Sequence, residues 1–386
     1  MKRQIKSNKE AFNRSKRKTF KTFLFITAVN CFLSQSLWSQ QIKKSIKNKS
    51  NNTIMEMVSA IKTEVNPDYV YEYEKAKFVP PNGKKLLIMG QTVERINEYF
   101  KHFPNQQRPS GWSAYFAVQE FNSITENHTN DTGTTQNHQM LIDSFPNTVL
   151  HSAMWMVGKW DIAKKARKGH FDKRIKKYAS WAKTTNRPIY LRIGYEFDGL
   201  HNELDPKEYV KAYRRIVDII RSEGADNIAF VWHSYMWKTY KDHPVSKWYP
   251  GDDYVDWVGI SVFGQAYLDA DFGPYSAPIL DFAKQHKKPV MIAESSAVNG
   301  IEKNNIDAWN NWFVKFFTFA YNKNIRAISF INEDWTTFKI DGISTWQDAR
   351  LYNNETISKA WFKETNKAHY LKQSPELFEL LGYKKK

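Results

Sequence analysis

The feature that most restricts the fold of this chain is an alternation of strand-like and helix-like segments that begins near Lys84. Eight apolar segments, rich in β-branched and aromatic residues, have the composition of buried strands. They are KLLIMG (85–90), WSAYFAV (112–118), NTVLHSAMWMV (147–157), PIYLRIGYE (188–196), NIAFVWHSY (227–235), YVDWVGISVFG (254–264), PVMIAES (289–295) and IRAISFINEDW (325–335).

Helical patterns separate most of these strands. The clearest covers 205–225, where Asp205 is the predicted N-cap, Pro206 takes the first helical position and Glu208 completes a capping box. The other predicted helices cover 92–103, 171–184, 277–286 and 306–322, and a loop is predicted at 236–253.

Strand–helix alternation over about 250 residues predicts an α/β fold, a single (β/α)8 TIM barrel. The alternative is an open doubly wound sheet. Such a sheet should carry a glycine-rich turn after its first strand, and the turn here, MGQTVE, lacks that pattern.

The net charge of +17 invites a nucleic-acid function, but the distribution of the charge argues against one. Residues 1–40 carry +8, residues 41–50 carry +4 and the three terminal lysines carry +3, which leaves +2 on the rest of the chain. Nucleic-acid-binding domains concentrate basic residues on the folded body, so we expect no nucleic-acid partner.

The N-terminus has the pattern of an export signal. A basic segment ends at Lys21, an apolar run too short to span a bilayer follows at 23–33, and Ser39 is a small residue suited to cleavage. We predict an export signal at 1–40, a linker and N-terminal extension at 41–83, the barrel at 84–370 and a basic C-terminal extension at 371–386. The protein would be secreted or periplasmic, with no stable membrane span after cleavage; an uncleaved N-terminal anchor is the alternative.

Cys31, the single cysteine, lies inside this leader, so a mature chain would have no disulfide, thiol nucleophile or thiolate metal site. Lipid anchoring at Cys31 is disfavoured because the preceding AVN lacks the usual leucine and small residue. Asp252, Asp253 and Asp256 could suggest a metal site or could shape the turn into strand six, and we infer no metal from them. We therefore predict no metal and no cofactor.

Two glutamates end predicted strands four and seven: Glu196 follows PIYLRIGY, and Glu294 follows PVMIA. Because barrel active sites lie at the C-terminal ends of the strands, both carboxyls should reach one mouth. Two carboxyls there suit hydrolysis of a glycosidic bond, in which one protonates the leaving oxygen and the other attacks the anomeric carbon or activates water. The alternative is a pair of ion-paired glutamates that stabilise the barrel rim.

Around these glutamates the sequence resembles glycoside hydrolase family 26, from about Leu86 to Trp335. The matching segments are RIGYEFDG (192–199), NIAFVWHS (227–234), WYPGDDYVDWVGISVFG (248–264), KPVMIAE (288–294) and IRAISFINEDW (325–335). The resemblance implies that Glu196 is the acid/base, Glu294 the nucleophile and Trp335 the platform under the sugar at the cleavage point.

Two positions depart from the family's usual pattern. Tyr195 stands where a histidine usually precedes the acid/base. The end of strand six reads GISVF, with Ser261 and Phe263, where the family usually carries a tyrosine that hydrogen-bonds the nucleophile.

Other residues near the predicted strand ends are candidates for substrate binding. Arg192 shares a strand face with Glu196 and could hold a glutamate by charge-assisted hydrogen bonds; the alternative is an ion pair inside the barrel. Aromatic side chains could stack on sugar rings or simply pack in the core. The full set is Trp335, Arg192, Tyr195, His151, Trp155, Trp232, His233, Tyr235 and Phe263.

The resemblance implies a secreted retaining endo-β-glycosidase acting on a polysaccharide or oligosaccharide. The candidate substrates are β-mannan, β-glucan, β-xylan and an algal β-glycan. The alternative is a catalytically weak barrel that serves as a glycan-binding protein, because two positions near the catalytic pair are altered.

Overall fold

The structure, a computed structural model, describes residues 44, 47, 51–103, 108–129, 133–156, 161–237, 244–268, 272–303, 305–338 and 343–384. The predicted export signal at 1–40, with Cys31, lies outside these residues. The chain divides into two compact units, residues 1–56 and 57–386. The described residues of the first unit are helical. The second unit carries the fold described below.

Eight parallel strands form the barrel within the nine-stranded central sheet of the described chain. Their bounds are β1 Lys85–Gly90, β2 Gly111–Ala117, β3 Val149–Trp155, β4 Ile189–Ile193, β5 Ile228–Ser234, β6 Trp257–Val262, β7 Val290–Ser295 and β8 Ala327–Ile331. Each strand falls within one predicted segment, apart from a one-residue difference at the start of β2. The buried apolar runs therefore predicted the strands well.

Neighbouring strands pair in parallel and in chain order from β1 to β8. β8 also pairs with β1, from Leu86 opposite Ala327 to Gly90 opposite Ile331. This last ladder closes the sheet on itself. The (β/α)8 barrel is therefore confirmed, and the open doubly wound sheet is excluded.

Helices connect most of the strands. Their bounds are α1 Val93–His102, α2 Asn122–Thr125, α3 His138–Ser144, α4 Ile162–Arg167, α5 Asp172–Thr184, α6 Pro206–Ser222, α7 Gln265–Leu268, α8 Gly273–Gln285, α9 Val314–Asn322, α10 Glu355–Thr365 and α11 Leu377–Leu380. A π-helical turn, Trp309–Phe313, leads into α9. No helix in the described part of the chain is both long and apolar enough to cross a bilayer.

Shorter elements complete the fold. The described part of the β5–β6 connection contains two 3-10 turns, Val245–Trp248 and Asp252–Tyr254, where the sequence predicts a loop. A small antiparallel ladder joins His128–Thr129 to Thr135–Gln136, and Tyr370–Leu371 pairs with the start of β1. The other 3-10 turns among the described residues are Pro67–Tyr69, Leu200–Asn202, Trp335–Thr337 and Leu351–Asn353.

Helix α6 fixes the end of β4, where the site begins. Asp205 caps the helix by accepting a hydrogen bond from the Glu208 backbone N–H at 3.0 Å. The Glu208 carboxylate binds Arg167 at 2.5 Å, so the structure shows only the forward half of the predicted capping box. From the first turns of α6, the buried Tyr209 hydroxyl donates to the Ile193 carbonyl oxygen at 3.1 Å. The last residue of β4 is thus tied to the helix that follows it.

Apolar residues from both ends of the second unit close the N-terminal end of the barrel. Phe78, Leu377, Phe378 and Leu381 pack against interior residues of the strands, including Leu86, Ile88, Val149, Tyr190, Val231, Trp257, Met291 and Ala327. The Tyr190 hydroxyl donates to the Phe78 carbonyl oxygen at 2.6 Å.

These packing residues lie in segments that the sequence analysis assigned to a linker and N-terminal extension (41–83) and to a basic C-terminal extension (371–386). In the structure both segments contribute to the barrel core. The physical reason is that the interior face of the strands is apolar down to its N-terminal end, and it must be covered there.

Candidate active site

The nucleophile candidate, Glu294, lies near the end of β7 and reaches the barrel interior because of an irregularity in strand pairing. Ile260 of β6 opposes Ile292, but the next residue, Ser261, opposes Glu294, so Ala293 is an extra residue in β7. Ala293 packs in the barrel interior. In a regular strand successive side chains point to opposite faces, so Glu294 would then point out of the barrel. The bulge instead brings its side chain onto the inner face.

The Glu294 carboxylate is held by two side chains from other strands. The Tyr115 hydroxyl of β2 donates to Oε1 at 2.7 Å, and the fully buried Arg192 guanidinium of β4 donates to the same oxygen. Burial raises the pKa of Glu294 above its ordinary value, the Arg192 charge opposes this rise, and the Glu196 charge adds to it. The structure therefore brings Arg192 to Glu294 as a charge-assisted partner.

The acid/base candidate, Glu196, lies in a tight turn after β4. Its backbone φ is +53°, an uncommon left-handed value for a residue with a side chain. The turn is held from two sides. The Asn202 side-chain amide donates to the carbonyl oxygens of Tyr195 and Glu196 at 3.1 and 2.8 Å, and the Phe197 N–H donates to the carbonyl oxygen of His233 at 3.1 Å. These contacts aim the Glu196 carboxyl into the mouth.

On its buried side, Glu196 contacts a row of hydrogen-bonded side chains. The Ser261 hydroxyl donates to Glu196 Oε1 at 2.5 Å, and His233 Nε2 lies 2.9 Å from that hydroxyl oxygen. His233 Nδ1 lies 3.4 Å from Arg192 Nη1. Burial, together with the Arg192 charge, holds the pKa of His233 well below its ordinary value, so the ring is neutral.

On its solvent side, Glu196 contacts His201, whose Nε2 lies 2.9 Å from Oε2. The His201 side chain is 48% exposed. Burial acts to lower the pKa of His201, but the hydrogen bond and negative charge of Glu196 outweigh that effect and raise it above the ordinary value. A Cβ atom at Gly199 would lie 2.5 Å from the His201 ring, so the glycine gives the ring room to reach the carboxyl.

Trp335 lies just after β8 in an aromatic cluster beside the mouth. Its indole N–H donates to the Ser296 hydroxyl at 2.9 Å, and its ring meets Trp346 and Phe263 edge-on, with centroids 5.0 and 6.4 Å apart. Phe338 also packs against it. These contacts fix the orientation of the indole, and Trp335 is largely buried among them, with 6% exposed.

Two further candidates line the mouth. Tyr195 lies between Tyr115, 5.6 Å away edge-on, and the His233 ring, 6.3 Å away. The half-buried Tyr235 meets His201 edge-on at 4.8 Å, and its backbone N–H donates to Asp198 at 2.7 Å.

Three of the residues predicted to bind substrate, Trp232, His151 and His233, are fully buried in the structure. Trp232 is not available to a sugar: it is 0% exposed, stacks on Phe197 at 4.4 Å and donates to the Trp248 carbonyl oxygen at 3.1 Å. It follows Val231, which faces the barrel interior, so alternation turns the indole outward. His151 and His233 are fully buried inside the barrel, where they present no ring face to a ligand. Trp155, at the end of β3, is partly exposed.

The sequence analysis missed Tyr115 and His201, and it treated Ser261 only as part of an altered motif. Tyr115 carried a usable signal, since it lies near the end of a predicted strand and so should approach the mouth. His201 carried a weaker one, a titratable residue five positions after Glu196.

No cluster of three or more His, Cys, Asp or Glu side chains within the described ranges is arranged to hold a metal ion. Two of the aspartates before β6 have other partners. Asp256 accepts from the Phe230 backbone N–H at 2.8 Å, and Asp252 accepts from the Tyr249 hydroxyl at 2.7 Å.

Comparison with known proteins agrees with this geometry. The model of glycosyl hydrolase family 26 matches residues 173–342, a range that includes Glu196, Ser261, Glu294 and Trp335. A β-1,3-xylanase of Alcaligenes sp is 27% identical over 328 residues, covering 78% of this chain and 68% of the relative. The β-1,3-xylanase TXYA of Vibrio sp is 27% identical over 332 residues, covering 80% and 70%.

Solved structures share the fold at lower identity. A family 26 protein of Muricauda sp. superposes with a TM-score of 0.54 at 16% identity, covering 77% of this chain and 90% of that one. A family 26 β-mannanase of Bacteroides ovatus superposes with a TM-score of 0.51 at 12% identity, covering 77% and 93%.

Proposed function

We propose that this chain, a family 26-like glycoside hydrolase that acts on polysaccharide, is a retaining endo-β-glycosidase. The observation that carries the proposal is the pair of carboxyls at one barrel mouth with different partners. Glu294 is held by the buried Arg192 and by Tyr115, as a nucleophile that must ionise requires. Glu196 contacts the Ser261 hydroxyl through one oxygen and the half-exposed His201 through the other.

In the first step Glu294 attacks the anomeric carbon and forms a glycosyl ester. The hydrogen bonds from Tyr115 and Arg192 both reach Oε1, which leaves Oε2 as the attacking oxygen. The bond from the anomeric carbon to the leaving oxygen breaks, and Glu196 gives its proton to that oxygen.

In the second step Glu196, now a carboxylate, takes a proton from water. The water oxygen bonds to the anomeric carbon, and the ester bond to Glu294 breaks. Glu196 regains its proton and Glu294 its negative charge, so the cycle needs no cofactor. Two inversions at the same carbon leave the product with the configuration of the substrate.

We propose β-1,3-xylan as the first substrate to test, followed by β-mannan, mixed-linkage β-glucan and algal β-glycans. The order follows the names of the two relatives that cover 78% and 80% of this chain. The export signal predicted at 1–40 would support secretion, which a polymer-degrading enzyme needs in order to meet its substrate.

A panel of these polysaccharides, assayed for new reducing ends, tests the function. The wild-type chain should release reducing ends from at least one polymer, and Glu294→Ala should release none while keeping the same far-UV circular dichroism. Glu364→Gln is the matched control, because Glu364 is a buried glutamate that binds Tyr321 at the opposite end of the barrel. Binding without release on every polymer would favour the glycan-binding alternative over hydrolysis.

A further inference from the structure

The two proposed catalytic carboxyls are joined by a continuous row of hydrogen-bonded side chains. Arg192 donates to Glu294 and lies 3.4 Å from His233, His233 lies 2.9 Å from Ser261, and Ser261 donates to Glu196 at 2.5 Å. Arg192, His233 and Ser261 are all 0% exposed. They come from β4, β5 and β6, so the row crosses three adjacent strands of the barrel interior.

The chemistry of the two ends sets the direction of every hydrogen bond in this row. A guanidinium can only donate, so His233 Nδ1 carries no hydrogen and accepts from Arg192. The neutral ring then carries its hydrogen on Nε2 and donates to the Ser261 oxygen. When Glu196 is ionised, as it is when it acts as the base in the second step, Ser261 donates its one hydrogen to the carboxylate, which can only accept.

We propose that Arg192, His233 and Ser261 form a relay that couples the charge of Glu294 to the protonation of Glu196. The proposal rests on the proposed function, since it assigns a role to the altered residues around that same catalytic pair. His233 and Ser261 are positioning residues: they act on the reaction through Glu196.

The relay works by polarisation, and no proton moves along it. In the resting enzyme the Arg192 charge is largely neutralised by Glu294. When Glu294 becomes an ester it loses its charge, and Arg192 polarises His233 more strongly. Ser261 then becomes a stronger donor, because hydrogen bonds in a chain strengthen one another. A stronger donor stabilises the Glu196 carboxylate, which is the form that accepts a proton from water in the second step.

Other titratable groups also face Glu196 and bear on the test. Glu294 lies across the mouth from β7, and Asp198 lies in the same turn after β4. The groups on the solvent side are His201 and Tyr235. These groups stay in place in Ser261→Ala and His233→Phe, so a change common to both variants reports on the relay.

The pH dependence of kcat/KM for these variants is the kinetic test. Ser261→Ala should lower kcat/KM at the optimum about 10-fold, as expected for loss of a hydrogen bond to a charged group. The alkaline limb of the pH profile of kcat/KM for Ser261→Ala should move to higher pH, because loss of the Ser261 donor disfavours the Glu196 carboxylate. Ser261→Thr, which keeps the hydroxyl, should restore the wild-type profile.

His233→Phe should move the alkaline limb in the same direction, and the double variant should move it no further, because the two residues act in series. Ser110→Ala is the matched control: Ser110 is a buried serine that bonds the Leu87 backbone at 2.8 Å, and its loss should not move the limb. An unmoved limb in folded Ser261→Ala, or additive shifts in the double variant, would overturn the relay.

A second measurement does not depend on activity. In ¹⁵N-histidine-labelled full-length protein, with His233→Phe used for assignment, long-range ¹H–¹⁵N spectra at neutral pH should show His233 protonated at Nε2 alone. A ring protonated at Nδ1, or at both nitrogens, would refute the relay even in an active enzyme. If His233 is protonated at Nε2 alone but the protein hydrolyses no glycan, the hydrogen bonds of the relay are supported and the proposed function is rejected.

Discussion

Glu294 of β7 depends on side chains from two other strands of the barrel, Tyr115 on β2 and Arg192 on β4. In the family pattern a strand-six tyrosine usually bonds the nucleophile, and here that position is Phe263, which has no hydroxyl. The Tyr115 hydroxyl makes the bond instead, at 2.7 Å. Burial raises the pKa of Tyr115 well above its ordinary value, so the hydroxyl remains a donor across the working pH range.

Replacing Tyr115 by Phe should therefore weaken catalysis without unfolding the barrel. A hydrogen bond to a charged group contributes about 1.5–3 kcal/mol, so kcat/KM should fall about 10- to 100-fold. Tyr190→Phe is the control, since Tyr190 is a buried tyrosine that bonds Phe78 at the other end of the barrel. It should lower the unfolding temperature and leave kcat/KM near the wild-type value. A similar loss of kcat/KM in both variants would show that Tyr115 acts only through stability.

The acid limb of the pH profile should belong to Glu294. Burial raises the pKa of Glu294 above its ordinary value, with the Arg192 charge opposing the rise. A nucleophile works ionised, so activity should be lost as the pH falls through this raised value. Arg192→Gln removes the opposing charge, and the acid limb of kcat/KM should then move to higher pH.

Two further variants serve as controls for the shift expected in Arg192→Gln. Arg192→Lys keeps the charge and should move the limb less. Arg187→Gln removes a buried arginine that bonds the carbonyl oxygens of Phe145 and Thr148, and it should reduce stability without moving the limb. An acid limb that stays in place in a folded Arg192→Gln enzyme would assign that limb to another group.

At the scale of elements, two different backbone irregularities bring Glu196 and Glu294 to one mouth. In β7 the extra residue Ala293 changes which face Glu294 occupies. After β4 a left-handed turn at Glu196, held by Asn202, places the carboxyl beyond the last strand residue. Both devices are irregularities at the functional end of regular strands, where bulges and unusual φ values commonly occur.

Helix α11 has a structural role at the other end of the barrel. Leu377 is 0% exposed among the interior residues, whereas Leu380, on the same helix, is 45% exposed. Leu377→Ala should reduce the free energy of unfolding by about 2–5 kcal/mol. Leu380→Ala should change it by less than about 0.5 kcal/mol. Urea titration of both variants measures the difference, and equal values would mean that α11 does not cover the core.

At the scale of the whole molecule, barrel closure brings together residues from five strands that lie far apart in sequence. The sequence predicted the eight strands, because buried parallel strands are continuous apolar runs. It also placed Glu196 and Glu294 at one end, because every strand of such a barrel points the same way.

The remaining features depend on partners that local patterns do not specify. The Tyr115–Glu294 bond joins residues 179 positions apart. The bulge exists only in the pairing of β6 with β7, and Trp232 was misassigned because an apolar run does not show which residue faces inward. Helix α11 has four residues, too few to give a helical period.

The most direct test of the account is to trap the glycosyl ester. Glu196→Ala, given an aryl glycoside whose leaving group needs no proton, should form the ester on Glu294 at a substantial rate. It should hydrolyse that ester slowly, because the base for water is gone. Mass spectrometry of the digested protein should find the glycosyl group on the peptide that contains Glu294. An adduct on another residue, or steady product release with no adduct in a folded variant, would contradict the assignment of the two glutamates.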